Sequence, residues 1–174
     1  SNGLLGQKLV KNLLTNRKGN YDVLATSQGE NRMSDIQGYR YQSLDITNVN
    51  DVDAVFDSFQ PNIVINTAAS RKHNTQLIHL STDFVFDGEA GPYRETDEPN
   101  PLSFYGQSKL DSERLLEESN IKWSIVRTII VYGIAESMSR NNIVLWAKQA
   151  LEKGEPLSIV NDQFRSPTLA EDLA

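Results

Sequence analysis

The chain of 174 residues contains no cysteine. That removes a disulfide framework, a thiolate zinc site and thiol nucleophiles together. Histidine is almost as scarce, with only His73 and His79, each isolated. No apolar run approaches the roughly 18 to 20 residues that cross a bilayer. The N-terminus also lacks the basic and apolar regions of a signal peptide, so a soluble cytoplasmic protein is expected. Positive charge is in short supply: 17 Lys and Arg face 23 Asp and Glu, a net charge of −6. A surface of that sign repels nucleic acid and anionic lipid at long range, which argues against both as partners and leaves room for a local basic pocket holding one small anion. What the chain does have is one domain's worth of residues, 39% of them hydrophobic, enough to bury a sizeable core.

The apolar residues Leu4, Leu5, Leu9, Val10, Leu13 and Leu14 recur at helical spacing behind Gly3 and Gly6, which predicts a glycine-led helix. Residues 21–26 form a short apolar run, and 40–44 a weaker one before Asp45. Val49, Val52, Val55, Phe56 and Phe59 return to helical spacing, with Thr47 or Asn48 as N-cap and Pro61 as the stop. Continuous apolar runs at 63–66, 77–80 and 122–127 suit strands buried on both faces of a parallel sheet. A Gly- and Pro-rich loop and a helix over about 104–118 separate the last two. The tail predicts a helix over 143–152, a strand over 157–160 and the start of a further helix at 170–173. Strands alternating with helices in this order indicate an α/β doubly wound parallel sheet.

Two features suggest pieces of a longer fold. Only residues 68–75 separate two runs expected to be parallel strands, whereas a crossover with its helix needs about a dozen or more. A helix is therefore expected to be missing, with Ala69 and Arg71 or Lys72 not continuous in space. A dinucleotide fold would also have a buried strand delivering its first glycine, and none precedes Gly3.

Gly3 and Gly6 have the spacing of the last two glycines of a Gly-x-x-Gly-x-x-Gly turn, where absent Cβ atoms let backbone approach a pyrophosphate at a helix N-terminus. An ordinary glycine-rich helix start explains them as well. Tyr105 and Lys109 lie four apart on one face of a predicted helix. An ammonium near a phenol favours its ionised form and so makes the hydroxyl a better proton donor to a carbonyl receiving hydride. The plainer reading is a half-buried aromatic beside a solvated lysine paired with Glu113. Ser81, Thr82 and Asp83 follow the 77–80 run at the carboxyl edge, where open α/β sheets place their ligands. Asn66, Thr67, Ala68 and Ala69 end the preceding run with small residues, as close approach of a flat ring or ribose would require. Close helix packing would use them equally.

The strings Leu77-Ile-His-Leu-Ser-Thr-Asp-Phe-Val-Phe-Asp-Gly88, Gly91-Pro-Tyr-Arg-Glu-Thr-Asp-Glu-Pro-Asn-Pro101 and Tyr105-Gly-Gln-Ser-Lys109 closely resemble the dTDP-4-dehydrorhamnose reductases, which are extended short-chain dehydrogenase/reductases with a Rossmann fold. Residues 127–133 and 161–168 continue the likeness. The resemblance implies an NAD(P)-binding domain over 1–133 and the start of a smaller nucleotide-sugar lobe over 134–174. It implies Thr82, Tyr105 and Lys109 as the catalytic set, and Asp83, Arg127 and Arg165 on the substrate side. Gly3 and Gly6 would flank the cofactor pyrophosphate, Asp45 and Ile46 would meet the adenine, and Ala68 and Ala69 would line the nicotinamide. Arg165 departs from the family, which commonly has Gly there.

No acid follows Thr26 until Glu30, while Ser27, Gln28 and Arg32 stand ready for a ribose phosphate, which favours NADP over NAD. The implied activity is NADPH-dependent reduction of a 4-keto-6-deoxy nucleotide sugar. The alternatives are an NAD-dependent epimerase or dehydratase and a non-catalytic nucleotide-binding subunit of the same fold. The residues leave a homodimer open.

Overall fold

A computed structural model of the chain describes residues 1–16, 21–33, 36–66, 75–137 and 142–174. The elements run α1 (Leu4–Asn16), β1 (Leu24–Ser27), β2 (Arg40–Ser43), α2 (Val49–Phe59), β3 (Ile63–Asn66) and β4 (Gln76–Thr82). A one-turn 3-10 helix at Asp83–Val85 follows, then α3 (Phe104–Glu117), β5 (Lys122–Thr128), β6 (Val131–Tyr132), α4 (Ile143–Glu152), β7 (Thr168–Leu169) and α5 (Ala170–Leu173). None of the described helices is long and apolar enough to cross a membrane.

Local chemistry sets several of these boundaries. At α2 the Asn48 side chain accepts from the Asn50 N–H at 3.1 Å, satisfying one of the donors that a helix start leaves open. The helix closes on Gln60, left-handed at φ 48°, directly before Pro61, whose ring disfavours helical geometry in the residue ahead of it.

Contacts divide the chain into two compact units, Ser1–Asp45 with Ile129–Ala174, and Ile46–Thr128. In the first, β1 and β2 pair in parallel from Leu24 opposite Arg40. Val10 of α1, Ala25 of β1 and Met33 form a buried cluster, with Leu14, Ile36, Tyr39 and Tyr41 against it. The returning tail adds the parallel pair β6–β7 and docks on α1 through Gln7. That buried amide donates to the Glu136 carbonyl at 2.8 Å and accepts from the Glu136 N–H at 2.8 Å.

In the second unit β3, β4 and β5 form a parallel sheet with β4 central, Ile63 opposite Gln76 and Gln76 opposite Lys122. α2 buries Val52, Val55 and Phe56, and α3 buries Gly106, Leu110, Glu113 and Leu116. Every ladder among the described residues is parallel, and the chain has the expected α/β Rossmann-like fold.

Two expectations need correction. Ser81 and Thr82 do not follow β4 but belong to it, because they pair with Arg127 and Thr128 of β5. Residues 157–160 form no strand: Ile159 and Val160 are 58% and 64% exposed, and no strand among the described residues pairs with them. The expected break between Ala69 and Arg71 or Lys72 lies outside the described residues, though the strands on either side of it do run parallel.

Candidate active site

The second unit gathers Thr82, Asp83, Tyr105, Lys109 and Arg127. At the carboxyl end of β4 the buried Thr82 leaves the strand in extended geometry and caps the 3-10 turn. Its Oγ1 accepts from the Phe84 N–H at 3.3 Å and donates to Asp83 Oδ1 at 3.1 Å. Ser103 starts α3 in the same manner, accepting from the Gly106 N–H at 3.0 Å, and so sets Tyr105 on the first helical turn.

Turn and helix touch at that point. The Phe84 ring meets Tyr105 edge-on, with centroids 6.0 Å apart and planes at 77°. A Cβ on Gly106 would lie 2.1 Å from the Phe84 carbonyl oxygen, so glycine is what permits this approach. Tyr105 is half exposed. One turn along, Lys109 donates from Nζ to the Leu80 carbonyl of β4 at 2.8 Å. Burial pulls the Lys109 ammonium below its usual range, and the Glu113 carboxylate pushes it back up.

Glu113, which the plainer reading of the sequence named only as a partner for a solvated Lys109, is a further functional candidate. It is 1% exposed, and Arg127 of β5 grips it with Nη2 2.6 Å from Oε2 and Nε 3.1 and 3.2 Å from the two oxygens. Hydrogen bonding to Glu113 raises the Arg127 guanidinium further above its ordinary range. The same guanidinium lies over the Phe86 ring at 5.1 Å and donates to the Glu95 carbonyl at 3.3 Å. Arg127, which the resemblance placed on the substrate side, thus ties helix, strand and loop together. Glu113 could have been found from its place in the stripe Gly106, Leu110, Glu113, Leu116, whose spacing of three and four marks one helix face.

His79 of β4 is fully buried, and among the described residues neither of its ring nitrogens has a hydrogen-bond partner. Burial lowers its pKa first, then the Lys109 charge, with Glu113 opposing both. The loop beyond the 3-10 turn is organised around Asp87. Its carboxylate takes the Tyr93 hydroxyl, the Glu89 N–H at 3.0 Å and the Asn100 amide at 2.9 Å. Those hydrogen bonds hold its pKa down at about 2, that from Tyr93 contributing most. Phe86 and Tyr93 stack with centroids 4.3 Å apart.

The first unit holds Gly3, Gly6, Arg32, Asp45 and Arg165. Gly3 opens α1, and a Cβ there would meet nothing within 4 Å, whereas one on Gly6 would lie 2.6 Å from the Ser1 Cα. An open helix start and a backbone packed tightly behind it fit a dinucleotide phosphate. Asn2, just ahead, donates to the Glu30 carbonyl at 2.7 Å and accepts from the Arg32 N–H at 3.1 Å. The loop after β1 is thereby pinned to the start of α1. The exposed Arg32 guanidinium donates to the Ser137 carbonyl at 3.4 Å. Asp45 accepts from the Gln28 amide at 3.4 Å, and Arg165 donates to Gln163 at 3.4 Å. Ile46 belongs to the second unit and is 43% exposed. Ala68 and Ala69 lie outside the described residues.

Comparison with known proteins bears on both units. Residues 69–174 match the family model described as RmlD substrate binding domain, and residues 1–76 that of the NAD dependent epimerase/dehydratase family. Over 201 aligned positions the chain is 34% identical to a dTDP-4-dehydrorhamnose reductase of Aggregatibacter actinomycetemcomitans, covering 99% of this chain and 62% of the relative. An alignment longer than the chain means that the relative carries residues which this chain does not. The chain is also 29% identical to methionine adenosyltransferase 2 subunit beta of Danio rerio, covering 99% of this chain and 58% of that protein. It spans about three fifths of the length of these curated relatives. Among solved structures, a dTDP-4-dehydrorhamnose reductase from Bacillus anthracis in complex with NADP superposes with a TM-score of 0.66 at 30% identity. That match covers 78% of this chain and 59% of the other. The chain belongs to the RmlD substrate binding domain family, that of the dTDP-4-dehydrorhamnose reductases.

Proposed function

We propose that the chain is part of an NADPH-dependent reductase of a 4-keto-6-deoxy nucleotide sugar. The observation that carries this reading is the junction at Phe84. The turn capped by Thr82 abuts the first turn of α3, so a threonine hydroxyl, a half-exposed phenol and a lysine one helical turn on are held by one rigid corner. In this reading Tyr105 donates the proton to the carbonyl oxygen, Thr82 orients that oxygen and Asp83 lies beside it. Lys109 keeps positive charge near the phenol and holds the cofactor ribose. Bound NADPH would supply the hydride. Gly3 and Gly6 hold its pyrophosphate, Asp45 and Ile46 its adenine, and Ala68 and Ala69 its nicotinamide. Residues 1–133 form the cofactor domain, and 134–174 open the sugar lobe. Arg127 serves the substrate side through the loop it anchors, and Arg165 reads an anion or sugar there.

Incubating the full-length protein with NADPH and a dTDP-4-keto-6-deoxy sugar should consume reduced nicotinamide in step with loss of the keto sugar. The likeness to a protein named as an adenosyltransferase subunit supports a second reading, a nucleotide-binding subunit without this activity. NADPH bound but never consumed would favour it, and epimerisation without net consumption would favour an NAD-dependent epimerase.

The preference for NADP is assigned to Arg32. Its backbone is already fixed at the start of α1 through Asn2, and its side chain needs only to exchange a long contact with the Ser137 carbonyl for a phosphate. A charge-assisted guanidinium contact is worth about 1.5 to 3 kcal/mol. Arg32→Ala should therefore weaken NADP binding by roughly ten- to a hundredfold and leave NAD binding near the parent value. Equal dissociation constants for the two cofactors in the parent would sink the assignment.

A further inference from the structure

A carboxylate that is 1% exposed on a helix packed against a sheet needs a reason to be there. Arg127 supplies part of it, since a bidentate grip satisfies both oxygens. Yet a buried ion pair is often no more stabilising than apolar residues of equal volume, so packing alone gives a poor account of Glu113. Its position gives a better one. Glu113 lies four residues after Lys109 on the same face of α3, and Lys109 reaches the Leu80 carbonyl of β4 through a half-buried stem.

We propose that Glu113 is a positioning residue, locked by Arg127 so that its carboxylate keeps the Lys109 side chain a cation directed at the end of β4. This deepens the proposed function and rests on its reading of Lys109 as part of the catalytic set. The groups around Lys109 divide cleanly. Burial lowers the His79 pKa, Arg127 of β5 is not among the charges that shift Lys109, and Glu95 and Glu117 act on Arg127. Among the described residues, Glu113 is therefore the anion that opposes the cost of burying Lys109. Without it, burial acts unopposed and the amine gives up its proton at lower pH. Through Glu113 the same guanidinium ties α3 to the 86–95 loop, which Arg127 holds by the Phe86 ring and the Glu95 carbonyl.

The test reads the Lys109 amine directly by NMR titration of the intact protein, with the resonance assigned by its loss in Lys109→Arg. No cofactor or substrate is present, so the result stands apart from whether the protein reduces a keto sugar. In Glu113→Gln the midpoint should move acidward by about 1 pH unit or more. Glu113→Asp, which keeps the charge, should restore it, and Asp111→Asn on the exposed side of the same helix should leave it in place. Should Glu113→Gln fail to fold, Glu113→Gln with Arg127→Met removes both buried charges, and the midpoint should again move acidward. A parent-like midpoint in either folded variant overturns the proposal. So does an acidward shift in Asp111→Asn as large as that in Glu113→Gln.

Discussion

Tyr105→Phe is expected to cut turnover by about 10² to 10⁴ while the cofactor still binds. The size follows from what the substitution removes. The ring meets Phe84 edge-on at 6.0 Å, and a phenylalanine ring makes the same contact. Tyr105 is 54% exposed, so its hydroxyl is within reach of water and its loss leaves no buried group stranded. Stability should therefore hold within about 0.5 kcal/mol, the ordinary range for a surface change. Only the proposed proton donor is gone, and water must serve in its place. Steady-state turnover with NADPH and a 4-keto-6-deoxy nucleotide sugar, measured beside thermal unfolding, separates chemistry from folding. Parent-like turnover would exclude Tyr105 as the acid. Lost turnover with an equally large loss of stability would mean that the ring was acting as packing.

The elements that sequence reasoning placed well are those whose signal is local. α4 begins and ends where its apolar spacing does, at Ile143 and Glu152, and Asn48 caps α2 because an asparagine side chain can accept from the N–H two residues on. The misplacements have long-range causes. Ser81 and Thr82 look like loop residues, and only the partners Arg127 and Thr128, far along the chain, carry β4 through them. Leu157 to Val160 looks like a strand by composition, yet a strand exists only where another lies beside it.

The site shows the same division. The spacing of Tyr105 and Lys109 is visible in the sequence, since four residues is one helical turn. That Lys109 bonds to the Leu80 carbonyl, and that Glu113 is buried beneath a guanidinium from β5, follows from a packing which spacing alone does not contain. A carboxylate at helical spacing from a lysine reads as a solvated pair until the strand opposite supplies an arginine.

Gly106→Ala should cost far more than its size suggests. In a helix interior alanine is favoured over glycine by about 0.8 to 1 kcal/mol, so on propensity alone the change would stabilise α3. The added methyl has nowhere to go. It would lie 2.1 Å from the Phe84 carbonyl oxygen, 3.0 Å from that carbonyl carbon and 3.1 Å from the Pro101 Cβ. The two nearest atoms are backbone, and the turn that carries them is held by the Thr82 cap and by the edge-on contact of Phe84 with Tyr105. A flexible side chain could swing aside; here either the turn or the first turn of α3 must move. Overpacking of this kind typically costs about 1 to 3 kcal/mol and occasionally more, which exceeds the propensity gain and corresponds to a melting temperature several degrees lower. The displacement also parts Thr82 from Tyr105, the two groups proposed to act on the substrate carbonyl, and a misplacement of about 1 Å between reacting groups can cost a hundredfold in rate. Turnover of the folded variant should therefore fall by more than its stability loss alone explains. A variant that melts at or above the parent temperature and turns over normally would show that the corner yields, and that the close approach of turn and helix does not set the geometry of the site.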